Sequence, residues 1–270
     1  MYSGTTLRRG SGNVMGTHQK IDRLAMRYVK KKLPLGLPFP KIGEILHFEG
    51  NNGPDSIKRK SPARDEPWHY FDPNDPRDTG LLIMIEDHSF NLTEALRSGN
   101  RERAAFEAAW LAHALVDGLT PAHHYPLEEK LEQLRGEGLE TRRTIRDKLI
   151  INGYSRRDTL RRNWEFWGAK GVMTTHVLFE IGVATTIAPL TLPLGRPSER
   201  EYRRVAQEGI GPYFLEAARH ISHLNMYERF HKKGWTPKLA RQTREDLVPL
   251  IIRTVALAWY SAARVAASES

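Results

Sequence analysis

His113 and Asp117 stand four residues apart, and His176 and Glu180 repeat that spacing later in the chain. Four positions turn an α-helix through about 400°, so each pair shares one face and presents an imidazole beside a carboxylate. A divalent cation calls for that arrangement, because its ligands must converge to within about 2.0 to 2.2 Å. The same spacing also makes a helix-stabilising pair on a solvated face, and either pair alone is open to that reading. The neighbours shift the balance. Ala112, Ala114, Leu115 and Val116 make the surroundings of His113 apolar, where a charged Asp117 is costly without a cation to neutralise it. Val177, Leu178, Phe179 and Ile181 do the same around Glu180. Directly after Asp117 the chain reads Gly-Leu-Thr-Pro-Ala-His-His, which ends the helix at Pro121 and returns His123 toward the same end as a third imidazole.

Composition narrows the chemistry. The 270 residues contain no cysteine, which removes thiolate catalysis, iron–sulfur clusters and every Cys-containing zinc site. A metal must then be held by His and carboxylates, and the chain has 11 histidines to offer. The 41 Lys and Arg outnumber the 32 Asp and Glu to give a formal net charge of +9, which favours phosphate-bearing partners over cationic ones. With 40% hydrophobic and 27% charged residues, the composition is globular rather than disordered.

The elements that must position these residues are helical. Met1 to Gly16, rich in Gly, Ser and Thr, reads as a flexible tail, and residues 17–270 as a single domain. Ile21, Leu24, Ala25, Tyr28 and Val29 recur at helical spacing and predict a helix from Thr17 through Lys32, stopped by Pro34, Pro38 and Pro40. From there to about Asp78, Gly50, Gly53, Pro54, Pro62, Pro67, Pro73 and Pro76 predict one long loop, whose aromatic cluster Trp68, Tyr70 and Phe71 argues against disorder. Helices are then predicted over Gly80–Arg97, Asn100–Asp117, Leu127–Leu134, Glu140–Asn152, Arg156–Trp167, Gly171–Ala188, Ser198–Lys232 and Pro237–Ala267. Strand-type alternation is nearly absent, so the expected fold is all-α, one multi-helix domain carrying a long metal-binding loop. No apolar stretch follows Arg8 and Arg9, and the longest apolar run, Ile181 to Leu194, is cut by Pro189 and Pro193. That run falls short of the roughly 20 residues a spanning helix needs, so the expectation is a cytoplasmic protein without a transmembrane segment.

The string His113-Ala-Leu-Val-Asp117-Gly-Leu-Thr-Pro121-Ala-His123 resembles the His, Asp, Pro and His signature of the zinc-dependent phospholipase C and single-strand-specific nuclease superfamily. Thr17-His18, opening a helix, is similar to the family's first histidine, and Asp55 in Gly-Pro-Asp-Ser-Ile to its loop aspartate. His69 within Trp68-His69-Tyr70-Phe71-Asp72-Pro73 is similar to the aromatic-flanked histidine before the central helices. His176 with Glu180 is similar to the last pair, with Glu as in bacterial phospholipases C where the nucleases carry Asp. Eight positions match in family order between about Gly16 and Ala184. The resemblance implies the family's all-α fold and its cleft of zinc ions. Carried over by position, Asp55, His69, His113 and Asp117 hold one ion, and His123, His176 and Glu180 a second. His18 and a bridging Asp117 contribute to a third, which the family completes with the amine and carbonyl of an N-terminal tryptophan. The first tryptophan here is Trp68. A translation start at Met15 would instead leave the Gly16 amine two residues from His18; otherwise the third site is empty or is completed by water or Asp22.

The resemblance thus implies a zinc-dependent phosphoric ester hydrolase with two or three Zn2+, in which Asp55 is both a ligand and the catalytic residue that orients the attacking water. Phosphoryl transfer suits such a site, because its transition state gathers negative charge on oxygens and needs little covalent help. Bacterial phospholipases C place an aromatic just after the loop aspartate, where this chain has Ser56. That departure speaks against choline selectivity; the nucleases instead use base-stacking pockets, for which Trp68, Tyr70, Phe71 and Tyr125 could serve, although aromatics near a metal site are more often packing. Lys58, Arg59, Lys60 and Arg64 lie between Asp55 and His69, and Arg142, Arg143, Arg146, Lys148, Arg156, Arg157, Arg161 and Arg162 form a second basic zone. Such charge draws phospholipid headgroups and single-stranded nucleic acid alike. Three readings follow: a phospholipase C-like phosphodiester hydrolase with a peripheral membrane contact; a single-strand-specific nuclease or 3′-nucleotidase; and a non-catalytic helical protein whose metals staple its helices. Asp87-His88, His220 and His223 read as packing or surface groups, and His47, His124 and His231 as lone histidines.

Overall fold

In the helix Arg101–Gly118 (α5) almost every side chain from Ala104 to Gly118 is buried, whichever face it occupies. Asn100 starts the helix, its side chain accepting a hydrogen bond from the Arg103 amide at 3.0 Å. A helix apolar all round must be wrapped by others, and the sequence supplies the wrapping. Gly80–Arg97 (α4) returns beside α5 across the turn at Ser98–Asn100. Thr17–Val29 (α1) and Val248–Ser268 (α14) cover further sides. Trp259 of α14 is fully buried, and its indole N–H donates to the Ala108 carbonyl of α5 at 2.9 Å. At Gly118 an added Cβ would stand 2.6 Å from Leu81 and 2.7 Å from Phe214, so α4 and Ile210–His223 (α11) close on α5 where it has no side chain.

These observations come from a computed structural model that describes Met1 and residues 16–60, 69–189 and 191–268, with the backbone alone at Asn51, Lys58, Arg59, Lys60 and Leu139. It is 73% helical with no strand among the described residues, the all-α class expected. The tail reading falls mostly on residues 2–15, which lie outside the described residues, as do Arg64 and Trp68 of the long loop. The loop itself is more ordered than its Gly and Pro content predicts. It contains Ile42–His47 (α2), a 3-10 turn at Gly50–Asn52 and Pro54–Lys60 (α3), with Ile45 and Leu46 buried in the core. Pro54 does not prevent α3, because the first helical position has no intrahelical use for an amide.

Further helices are Leu127–Arg135 (α6), Ile145–Leu149 (α7), Arg156–Trp167 (α8) and Val172–Ile187 (α9). The helix expected over Glu140–Asn152 shrinks to α7 because Thr144 and Asp147 form a capping box that fixes a late start. The single helix expected over Ser198–Lys232 is three: Glu199–Glu208 (α10), α11 and Met226–Lys233 (α12). The breaks fall at Gly209 and Asn225, whose φ values of 76° and 50° no α-helix accommodates. Pro237–Gln242 (α13) runs through a π-turn, Thr243–Leu247, into α14. By length and composition Pro237–Ser268 could cross a membrane, but 67% of its apolar window is buried inside the fold against α1, α4, α5 and α10.

Candidate metal centre

Five separate pieces of chain deliver the eight candidate ligands to one place. α1 brings His18, α3 brings Asp55, the segment before Phe71 brings His69, α5 with the 3-10 turn Pro121–His124 brings His113, Asp117 and His123, and α9 brings His176 and Glu180. His18, His69, His113, Asp117, His123 and His176 are all buried, while Asp55 and Glu180 keep 25% and 12% side-chain exposure. The placement of His123 has a local cause. Thr120 Oγ1 donates to the Val116 carbonyl at 2.6 Å and the His123 amide to the Thr120 carbonyl at 2.8 Å, so the turn folds back under the end of α5.

Asp117 is the hub. Its Oδ2 lies 2.6 Å from His69 Nδ1, 3.2 Å from His113 Nε2 and 3.7 Å from His123 Nδ1. Its Oδ1 lies 3.4 Å from His18 Nε2 and 2.6 Å from the amino group of Met1. Glu180 Oε1 sits 3.0 Å from His176 Nε2, 3.1 Å from His123 Nε2 and 3.4 Å from the same amine. Met1 is 3% exposed, with its amine against Asp117 and Glu180. Three sets have ligand atoms within 4.8 Å of one another and could hold metal ions: His18, His113 and Asp117; Asp55, His69 and His113; and His123, His176 and Glu180. The grouping differs from the expected one in that His113, not Asp117, falls into two sets, Asp117 joining only His18 and His113.

The electrostatics of the pocket ask for positive charge. Burial pushes the carboxyls of Asp117 and Glu180 up, but the surrounding imidazoles and the Met1 amine hold both well below the usual carboxylate range. Asp55 is held at about 2 by His113, His69 and His18 against its own burial. Burial pushes His113 down, yet Glu49 and Asp117 raise it well above its ordinary value. Burial pushes the Met1 amine down, but Asp117, Glu180 and Asp55 raise it to about 10. The His123 ring adds a sharper sign. Its Nδ1 faces the His69 carbonyl at 2.8 Å and must donate, which leaves an Nε2 lone pair aimed at the Glu180 carboxylate 3.1 Å away. Two acceptors in that position repel unless a proton or a metal cation stands between them. His18 is fully buried and neither ring nitrogen makes a hydrogen bond; one helical turn on, both carboxylate oxygens of buried Asp22 are likewise without one. Burial and the neighbouring Glu49 push Asp22 well above the usual range. The donor set, imidazoles and carboxylates with unused buried atoms, fits a hard or borderline divalent cation.

Glu49 is the site residue that sequence reading missed. It is buried, accepts from His113 Nδ1 at 3.1 Å and lies 3.9 Å from His18 Nδ1. Its only sequence signal is a lone acid between Phe48 and Gly50 in a stretch without periodicity. Other expectations sort as packing. His124 donates from Nε2 to the Gly118 carbonyl at 2.8 Å, and burial lowers it to about 4. His88 pairs with Glu107 at 2.5 Å, while His47, His220, His223 and His231 are exposed. Of the aromatics, Tyr70 stacks on His123 with ring centres 5.4 Å apart, whereas Phe71 is 3% exposed and packs on Phe214. A cleft of about 1260 Å3 between α10, α11 and the start of α14 contains none of the eight residues. Arg204 there is taken up by Glu208 at 2.8 Å and Glu216 at 2.6 Å.

No family model and no curated protein matches the chain. Among solved structures it is similar to the alpha-toxin of an avian strain of Clostridium perfringens, at TM-score 0.62 and 13% identity over 97% of this chain. The chain spans 66% of the length of that toxin. It therefore has the all-α alpha-toxin fold, and the resemblance read from eight residues extends to the architecture that holds them.

Proposed function

We propose that the protein is a zinc-dependent phosphodiester hydrolase of the phospholipase C type. The observation that carries this reading is that the buried pocket gathers three His and carboxylate sets, with both oxygens of Asp117 facing ligand-type atoms of His18, His69 and His113. The fold is that of alpha-toxin, a zinc phospholipase C, and Glu180 supports the same branch. Asp55, His69, His113 and Asp117 would hold one ion, His123, His176 and Glu180 a second, and His18 with Asp117 a third. Bound cations there supply the Lewis-acid charge that lowers the pKa of water and neutralises phosphoryl oxygens. Asp55 is the most open of the acids, and a carboxyl held at about 2 is a weak base, so its part is to accept a hydrogen bond from water and orient it. Glu49 fixes the His113 tautomer by accepting from Nδ1, which leaves Nε2 toward the centre. Tyr70 covers one face of His123 and shields it from water. Metal analysis of the purified protein, with parallel assays on a chromogenic phosphocholine ester and on single-stranded DNA, tests the reading. The expected result is two or three Zn2+ per chain, ester hydrolysis abolished by chelator, and a loss of more than about 100-fold in Asp117→Ala. Metal-replete Asp117→Ala with full activity would overturn it; cleavage of DNA alone would assign the nuclease reading, and tightly held zinc with no hydrolysis of either substrate the structural one.

A further inference from the structure

Helix α8 turns three large apolar side chains to solvent along one stripe. Leu160, Trp164 and Trp167 follow at i, i+4 and i+7 and are 73%, 72% and 41% exposed. The opposite face is the packed one: Phe166 is buried, and the Asn163 side chain exchanges hydrogen bonds with the Ile151 backbone at 3.1 and 2.7 Å. The stripe continues onto α7, where Ile145 and Leu149 are exposed and the Trp167 indole donates to the Leu149 carbonyl at 2.7 Å. On its other side α8 packs against α9, on which Val177 and Leu178 are exposed directly after the candidate ligand His176. A chain of exposed tryptophan and aliphatic side chains on adjoining helices is more than the scattered apolar residue normal on a surface.

Charge says what covers it. Residues 142–170 carry nine Lys and Arg against three Asp and Glu, and exposed Arg156 and Arg157 lie one turn before Leu160 on α8. Tryptophan and aliphatic residues rimmed by cations match the boundary between lipid headgroups and acyl chains when the headgroups are anionic. Nucleic acid fits less well, since Ile145, Leu149, Leu160 and Leu178 have no ring on which a base could stack. A second copy of the chain would set two such cationic rims against each other. We infer that the α7–α8 face docks the protein on an anionic lipid surface, beside the candidate metal centre on α9. This goes beyond the hydrolase reading and stands without it, because docking needs no turnover.

Sedimentation of the purified full-length protein with vesicles tests the inference, with hydrolysis of a soluble phosphodiester followed in parallel. Binding to vesicles of mixed phosphatidylserine and phosphatidylcholine should be at least tenfold tighter than to phosphatidylcholine alone. The double variant Leu160→Ser, Trp164→Ser should lose at least tenfold in that binding while its circular dichroism melt and soluble-ester hydrolysis stay those of the parent. Arg156→Glu with Arg157→Glu should remove the preference for anionic vesicles. Equal sedimentation of parent and Leu160→Ser, Trp164→Ser overturns the inference, as does no sedimentation of the parent. So does tighter binding of single-stranded DNA than of vesicles, or a dimer that the same variant dissolves. A protein that hydrolyses nothing yet sediments with anionic vesicles would leave docking intact and sink the hydrolase reading alone.

Discussion

Glu49 has no exposed side-chain surface and stands behind His113, 3.1 Å from its Nδ1, with His18 Nδ1 3.9 Å away. A carboxylate in that place aims the imidazole and makes it a better donor to a cation. Glu49→Ala should therefore weaken metal binding about 10- to 100-fold, and Glu49→Gln, which keeps an acceptor but no charge, about tenfold or less. Competition against a chromophoric chelator reads both, and unchanged affinity in Glu49→Ala would refute the role. The contrast with the eight ligands shows what a sequence discloses at this scale. His113 with Asp117 and His176 with Glu180 announce themselves by helical spacing in apolar surroundings, and Asp55 and His69 by their place in a known order. Glu49 acts through a neighbour's far nitrogen, from a stretch with no period, so nothing in its local sequence marks it. The Met1 amine reaches Asp117 through a contact 116 residues long in sequence, which no local pattern encodes.

Among the elements, α4 and α8 end where their patterns and flanking residues said, at Gly80–Arg97 and Arg156–Trp167. The breaks at Gly209 and Asn225 were illegible because apolar periodicity runs on past both, and one residue with positive φ suffices to end a helix. In the long loop the error ran the other way: Pro54 and the glycines around it hid α2 and α3, although Ile45 and Leu46 had a core to enter. The packing at the end of α5 is the element on which the centre most depends. Gly118 follows Asp117, and a methyl group there would have to displace Leu81 and Phe214. Gly118→Ala should cost about 1 to 3 kcal/mol in urea unfolding and reduce metal affinity together with stability. A variant as stable as the parent, within about 0.5 kcal/mol, would show that α4 and α11 can yield at that point.

The molecule as a whole is arranged so that the chemistry lies early in the chain and its support lies late. All eight candidate ligands fall between His18 and Glu180, yet α1, α4 and α5 are packed against α14, whose Val248, Ile251, Ile252, Val255 and Trp259 are fully buried. Removing residues 248–268 should leave a protein that unfolds without a cooperative transition and binds zinc weakly, and a sharp calorimetric transition from that fragment would disprove the dependence. A ribosome that has released residue 240 has already delivered every imidazole and carboxylate of the centre but not the helix they close upon. Every ligand of the pocket is thus translated before the helix against which α1, α4 and α5 pack.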